Sequence, residues 1–513
     1  MEIIRPRIWL YGVLWAAAMT VPARALDDET AKTIADLKAQ VQALVERVRV
    51  LEGRPSNEIP PNTSPGKMDP ASSPSDLQPT MEVPAGATTE MASAPEQRGL
   101  APSSPVSVTE QGLVFRSQDN QHTIRLGGLI QADYRGFVDE GNSSASKFLI
   151  RRARPYASGY FFNDWTYRFA PEFALAAPDA TTYTTTIADA FLNYSHLEEF
   201  QVQAGKFKAP VSLEMLVGPA YTSFSERALP SNLAPNRDIG VMIHGRLLEG
   251  KVSWAAMVGA NARDNTINTG LDLGSGYNGY FRIFTQPMKD EDAVPEIWHG
   301  LRLGVGGSIG QQQTSTAGTS ALFQDPSTDG GNAFFSWPNG LNTQGQRWRI
   351  SPQLYYNLGP FGLMGEFIAE KQGVNTAALG PGGGNTSWEA TAWNVTANYV
   401  LTGEEATLDG IVPREPFDPS AGTWGAWEIA LRYDGIALGA NMFRPVAAGG
   451  LGASATSNAT AINGVSWGLN WYLNRIIRWG LTVEYNAFTG GGAPGTIVEN
   501  NELGFLTRLQ LMY

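Results

Sequence analysis

Leu503-Gly504-Phe505-Leu506-Thr507-Arg508-Leu509-Gln510-Leu511-Met512-Tyr513 is the stretch whose alternation decides the fold. Leu503, Phe505, Leu509, Leu511 and Tyr513 share one face at a period of two, with Thr507 the weak member. Gly504, Arg508 and Gln510 point the other way, where Leu506 and Met512 also fall and soften the contrast. This is a strand with one apolar face and one mostly wet face. A closing strand with a terminal aromatic is what a bacterial outer-membrane barrel offers its assembly machinery. In such a barrel the apolar face meets lipid and the polar face meets a water-filled lumen.

The same alternation recurs upstream. Trp165, Tyr167, Phe169, Pro171 and Phe173 oppose Arg168, Ala170 and Glu172. Trp393, Val395, Ala397, Tyr399 and Leu401 oppose Asn394, Thr396 and Asn398. Trp427, Ile429, Leu431 and Tyr433 oppose Glu428, Arg432 and Asp434. Val465, Trp467, Leu469, Trp471 and Leu473 oppose Ser466, Asn470 and Asn474, and Trp479, Leu481, Val483 and Tyr485 oppose Thr482, Glu484 and Asn486. Aromatics sit toward the ends of most apolar faces, as interfacial belts require. A soluble β-sandwich also alternates, but its inner face is mainly aliphatic. About 400 residues, at roughly two dozen per strand and connection, predict an all-β, transmembrane antiparallel β-barrel of about sixteen strands. A barrel of that width leaves an aqueous channel. The connections Gln311 to Gln346 and Gly373 to Thr386 are long, Gly-rich and largely polar, and are expected outside the cell.

Composition agrees. Apolar residues make up 42% of 513, too few for a bundle of transmembrane helices but right for strands that touch lipid with every second residue. Without cysteine there is no disulfide, thiol nucleophile or cysteine-bound metal. A net charge of -12 weighs against nucleic acid as a partner. His122, His196, His244 and His299 are scattered, without metal-ligand spacing. Gly306-Gly307-Ser308-Ile309-Gly310 spells a serine-hydrolase pattern, which needs a strand-to-helix elbow and a partnered His. Here it lies in a Gly-rich strand. No catalytic residue, metal site or cofactor is expected, and the chain does not read as an enzyme.

The first 107 residues have another organisation. Arg5 and Arg7, the apolar run Ile8 to Met19 and Ala23-Arg24-Ala25 read as a signal peptide over 1–25, cleaved near Leu26. Ile34, Leu37, Val41, Leu44, Val48 and Leu51 follow heptad spacing and predict a self-associating coiled-coil helix over 26–52. Residues 53–107 are dense in Pro, Ser, Thr, Ala and Gly and predict a disordered linker. The barrel is expected over 108–513, in the bacterial outer membrane, with the coil and linker in the periplasm.

Several stretches in order resemble one family, the phosphate- and pyrophosphate-selective O/P-type porins of Gram-negative bacteria. They are Gly127-Gly128-Leu129-Ile130-Gln131-Ala132-Asp133, Ile150-Arg151-Arg152-Ala153-Arg154, and Asp164-Trp165 with Tyr167. Gly205-Lys206-Phe207-Lys208-Ala209-Pro210 follows, then Ser212-Leu213-Glu214 and Glu226-Arg227-Ala228-Leu229-Pro230. Tyr399-Val400-Leu401-Thr402-Gly403-Glu404, Gly425-Ala426-Trp427-Glu428-Ile429, Arg432-Tyr433 and Asn470-Trp471-Tyr472 complete the set. The resemblance implies a homotrimer of sixteen-stranded barrels in a lipid bilayer, each pore narrowed by an inward-folded third loop. It implies passive diffusion of small, phosphate-like anions.

Such a pore needs fixed positive charge at a narrow place. Arginine suits phosphate because its planar fork donates two parallel hydrogen bonds and keeps its proton. The family's Arg-Arg pair at the central anion site matches Arg151 and Arg152. Strict alternation would put these two on opposite faces, so a bend or bulge is required for both to reach the lumen. Arg154, Arg168 and Glu172 complete the expected anion site, with Glu172 where the family has an acidic residue that shapes it. The constriction loop is expected within Pro210 to Arg237, carrying Met215, Tyr221, Ser223, Ser225 and Arg227. Met215, Gly218, Pro219 and Thr166 stand where phosphate-selective members carry lysine or serine, which predicts weaker and less discriminating anion binding. Two rival readings are a general or weakly selective diffusion porin, and a barrel that anchors the outer membrane to the cell wall through the N-terminal coil.

Overall fold

The computed structural model describes residues 105–109, 112–138, 146–174, 185–260, 276–313, 325–491 and 501–513. The expected signal peptide and coil, and the linker up to residue 104, lie outside the described residues.

A hairpin of β1 (Val106–Thr109) and β2 (Gly112–Arg116) leads into the barrel. Its strands are β3 (His122–Phe137), β4 (Lys147–Phe161), β5 (Trp165–Glu172), β6 (Thr186–Tyr194), β7 (Gln201–Lys208), β8 (Arg237–Leu247), β9 (Val252–Gly259) and β10 (Asn278–Thr285). They continue as β11 (Leu301–Gln313), β12 (Asn342–Leu358), β13 (Phe361–Asn375), β14 (Asn385–Val400), β15 (Ala426–Leu438), β16 (Ala459–Tyr472), β17 (Ile477–Gly490) and β18 (Asn501–Met512). Each pairs antiparallel with the next, and β18 returns to β3 from Gly504↔Phe137 to Met512↔Leu129. The sixteen strands β3 to β18 therefore close without an edge, which is how backbone polar groups are satisfied in lipid.

Below the end of β18, β2 takes over the same edge of β3, from Leu113↔Leu126 to Arg116↔Thr123. The junction sits at Gly127, where a Cβ would lie 2.3 Å from the Tyr513 carbonyl oxygen. Only glycine leaves room there for the chain end.

The two-faced reading of the strands holds. In β18, Phe505, Leu509 and Leu511 are exposed to the membrane side, while Leu506, Arg508 and Gln510 are buried inside. In β5, Phe169 faces out and Arg168, Ala170 and Glu172 face in. One rim carries tight turns. Phe162–Asn163 and Leu248–Glu249 each place two consecutive residues at positive φ, the twist of a two-residue hairpin turn. Most connections at the opposite rim are longer.

Two expectations about loops need correcting. β13 and β14 run into the segment Gly373 to Thr386, leaving only 376–384 as a connection. Within the β11–β12 connection, 325–341 is not a solvated external loop. Phe334, Phe335 and Leu341 are wholly buried and join Met215, Leu229, Leu233, Trp388 and Ile436 in one apolar core. The reason is local: a Phe-Phe pair with Trp337 is too apolar for a wet loop and finds cover inside the barrel. The interior is accordingly not polar throughout, because loops fill part of it with apolar side chains.

Candidate functional site

The β7–β8 connection, 209–236, folds into the barrel and is buried along almost its whole length. Its entry lies flat on β11. A Cβ at Gly306 would sit 2.1 Å from the Val211 carbonyl oxygen, so this glycine permits the close approach. Gly306-Gly307-Ser308-Ile309-Gly310 is thus strand, and the Ser308 hydroxyl accepts from Arg349 Nη1 at 3.0 Å.

A short helix follows, α1 (Leu213–Leu216), and the wall caps both its ends. Ser212 Oγ accepts from the Met215 N–H. The Glu366 carboxylate on β13 accepts from Ser212 Oγ, Leu213 N–H and Glu214 N–H at 3.0–3.1 Å. Lys208 Nζ donates to the Leu216 and Val217 carbonyls at 3.0 and 3.1 Å. An anion at the N-terminus and a cation at the C-terminus suit the exposed groups of each end.

Beyond the helix the loop crosses the lumen and is bonded to the far wall. Gln131 on β3 and Gln510 on β18 donate to the Pro219 and Ala220 carbonyls. Arg478 on β17 donates to the Thr222 carbonyl, and Thr482 accepts from the Ser225 N–H. Asp434 on β15 accepts from the Leu229 N–H at 2.9 Å.

At the centre stands Glu226. Its Oε1 accepts from Arg135 at 2.7 Å, Arg151 at 2.7 Å and Arg508 at 3.1 Å. Its Oε2 accepts from Arg151 at 3.3 Å and pairs with Arg152 at 3.7 Å. Asp133 shares two of these cations, accepting from Arg508 Nε and Nη2 at 2.7 Å each and from Arg135 at 3.2 Å. Arg152 also donates to Gln131 at 2.6 Å. Burial alone would raise the Glu226 carboxyl, but the charges of Arg151, Arg152, Arg135 and Arg508 outweigh it and hold it well below the carboxylate range. Two strand positions make this convergence possible. Gln131 pairs with Arg152 and Ala132 with Ile150, so Arg151 is the extra residue of a bulge. The bulge that both neighbouring arginines require is present, and both turn inward.

The remaining expected residues form a second group. Glu172 accepts from Arg154 Nε and Nη2 at 3.1 and 2.9 Å and from the Ala153 N–H. Arg168 stacks over Tyr156 at 4.2 Å and lies 3.8 Å from Asp189, which Arg237 grips at 2.8 and 3.1 Å.

A family model described as "Phosphate-selective porin O and P" matches residues 124–511. The chain belongs to this family. It is an outer-membrane porin, and its family and barrel fold are those of a channel. Porin O of Pseudomonas aeruginosa is 24% identical over 432 residues, covering 79% of this chain and 92% of that protein. Among solved structures, the outer membrane channel DcaP of Acinetobacter baumannii aligns with a TM-score of 0.48 at 10% identity, over 78% of this chain and 99% of that one. An anion-selective porin from Comamonas acidovorans aligns with a TM-score of 0.47 at 12% identity, over 76% and 100%.

Measured against the sequence reading, the porin's five expected anion-site residues split in two. Arg151 and Arg152 meet on Glu226, whereas Arg154, Glu172 and Arg168 belong to the neighbouring group. The expected loop residues are all on the inward loop, but their polar atoms are engaged elsewhere. Met215 is part of the inner apolar core. Ser223 Oγ donates to Glu428 at 2.7 Å, and the Ser225 hydroxyl meets Thr482. Arg227 donates to the Glu214 and Val217 carbonyls of its own loop. Tyr221 packs beside Leu213, Val217 and Leu408. Glu226, Asp133 and Arg508 were not singled out by their sequence setting. Asp133 and Arg508 stand on strands far apart in the chain, paired across the barrel closure at Arg508↔Asp133, so only the register brings them together.

Proposed function

We propose that this porin passes small anions, phosphate or phosphorylated solutes among them, by passive diffusion, and that it works as a homotrimer. The observation that carries this is the convergence of Arg135, Arg151, Arg152 and Arg508 where the inward loop crosses the lumen. Four guanidinium groups against the carboxylates of Glu226 and Asp133 leave net positive charge at the crossing. A positive constriction attracts anions and repels cations over a Debye length of about 8 Å at physiological salt. The family's own description, phosphate-selective, points the same way. The loop is proposed as the constriction, and the N-terminal coil and linker as periplasmic appendages of the barrel.

Reversal potentials in planar bilayers under a KCl gradient test the reading. A potential on the chloride side is expected, and a cation-preferring one would overturn it. A weakly selective diffusion porin is the second reading. It is favoured by the engagement of Ser223, Ser225 and Arg227 with wall and loop atoms. Inorganic phosphate that fails to compete with chloride current would support it.

A further inference from the structure

Glu226 is placed like a bound anion. One of its oxygens takes three guanidinium donors within 3.1 Å and the other faces two more contacts. Oxyanion recognition by arginine uses this same coordination. The arginines fall into two layers by depth. Arg135 and Arg508 lie behind, with side chains at most 1% exposed, and share the carboxylate of Asp133. Arg151 and Arg152 form the more accessible layer, 10% and 8% exposed, and Glu226 beside them is 7% exposed. The side of the cluster that an incoming solute reaches is therefore the side that the loop's own carboxylate occupies. The wall also holds Glu226 from behind: its main-chain carbonyl accepts from Nη1 of Arg432 on β15 at 3.1 Å. Arg432 in turn stacks over Phe224 at 4.4 Å and pairs with Asp329 of the β11–β12 loop.

We infer that Glu226 is a tethered occupant of the anion site, which a permeating oxyanion must displace, and that it thereby sets how weakly the channel holds phosphate. The inference rests on the anion-porin reading. A carboxylate carries one negative charge and is fixed to the loop, so it competes at high effective concentration. A solute anion gains only the difference between its own contacts and those Glu226 already makes. Binding stays weak, exit stays fast, and the arginines stay ordered between solutes. Replacing the carboxylate with a neutral amide raises the net charge of the cluster by one and removes the anion that competes with the solute for Arg151 and Arg152. A loop pin without this role behaves differently: losing it frees the loop and widens the pore but does not tighten phosphate binding.

The test uses the full-length porin in planar bilayers, with inorganic phosphate titrated against chloride current. Glu226→Gln is expected to lower the half-blocking phosphate concentration about tenfold, the equivalent of about 1.4 kcal/mol. Glu226→Asp, whose shorter carboxylate withdraws from the arginines, is expected to lower it several-fold, and it decides the matter if the amide variant does not insert. Unchanged or weaker block in a conducting variant, or higher conductance without tighter block, overturns the inference. A wild-type channel that prefers cations would instead overturn the anion reading itself, whatever the variants do.

Discussion

Arg151 and Arg152 are sequence neighbours that face the same side of the wall, because Arg151 is the bulge residue between the Ala132↔Ile150 and Gln131↔Arg152 pairs. In a regular strand one of them would point into lipid, where an arginine costs about 2–4 kcal/mol at mid-depth. The bulge turns that liability into a second inward fork. Arg152→Ala is expected to lower the anion-to-cation permeability ratio several-fold with little loss of assembled barrel. Deleting Arg151 outright should restore strict alternation. Assembly then survives, but both Arg151 hydrogen bonds to Glu226 are lost and selectivity falls as in Arg152→Ala. Reversal potentials and heat-modified mobility on gels check both, and unchanged selectivity in both variants would remove the pair from the site.

The loop lies on β11 only because Gly306 has no side chain. A Cβ there collides with the Val211 carbonyl at 2.1 Å. Overpacking of this kind costs about 1–3 kcal/mol. Gly306→Val should lift the loop entry while leaving the strand ladder intact, since β-branched residues suit strands. Single-channel conductance should rise and limited proteolysis should begin within 209–236. A variant with wild-type conductance and protection would show that the loop is held by its far attachments alone.

Glu214, in α1 of the loop, accepts from the Ala228 N–H of the same loop and from Asn394 on the wall. Burial pushes its carboxyl from 4.5 up to about 7, against the opposing pull of Arg432 and the Ala228 hydrogen bond. A carboxyl raised on folding contributes stability that is full below about 4.5 and lost as pH rises through about 7. Unfolding measured between pH 4 and pH 8 should therefore show the loop region weakening on the alkaline side, by about 3 kcal/mol at most. Glu214→Gln should flatten that dependence. Glu226 behaves oppositely: its carboxyl lies below the usual range, so its contribution is constant above about pH 5. Glu226 itself should then add no pH dependence to anion selectivity from about pH 5 to 8.

The barrel closes on itself between β18 and β3, and the family match begins at residue 124. Removing Leu26 to Ser107 should therefore leave a conducting, anion-preferring pore. A correctly inserted variant with no conductance would make the N-terminal region part of the channel.

Some of this was legible from residue types alone. The period of two in Leu503 to Tyr513 and in Trp165 to Phe173 fixes which side chains meet lipid, because a pleated strand has only two faces. The need for a bulge at Arg151-Arg152 followed from the same rule. The Phe-Phe pair of 325–341 is masked in the sequence by a connection that is Gly-rich and largely polar overall. That pair needs cover, and the inward loop and wall residues that supply it are far away in the chain.

Periodicity along the chain thus determined the strands, their faces, their approximate number and the lipid-facing surface, since each is a local property of consecutive residues. Closure decided the rest. Arg508 meets Asp133 because the last strand pairs with the first, and Glu226 meets four arginines because its loop is bonded across the lumen. Contacts between residues separated by hundreds of positions leave no local pattern. They come from register and loop path, which tertiary packing sets.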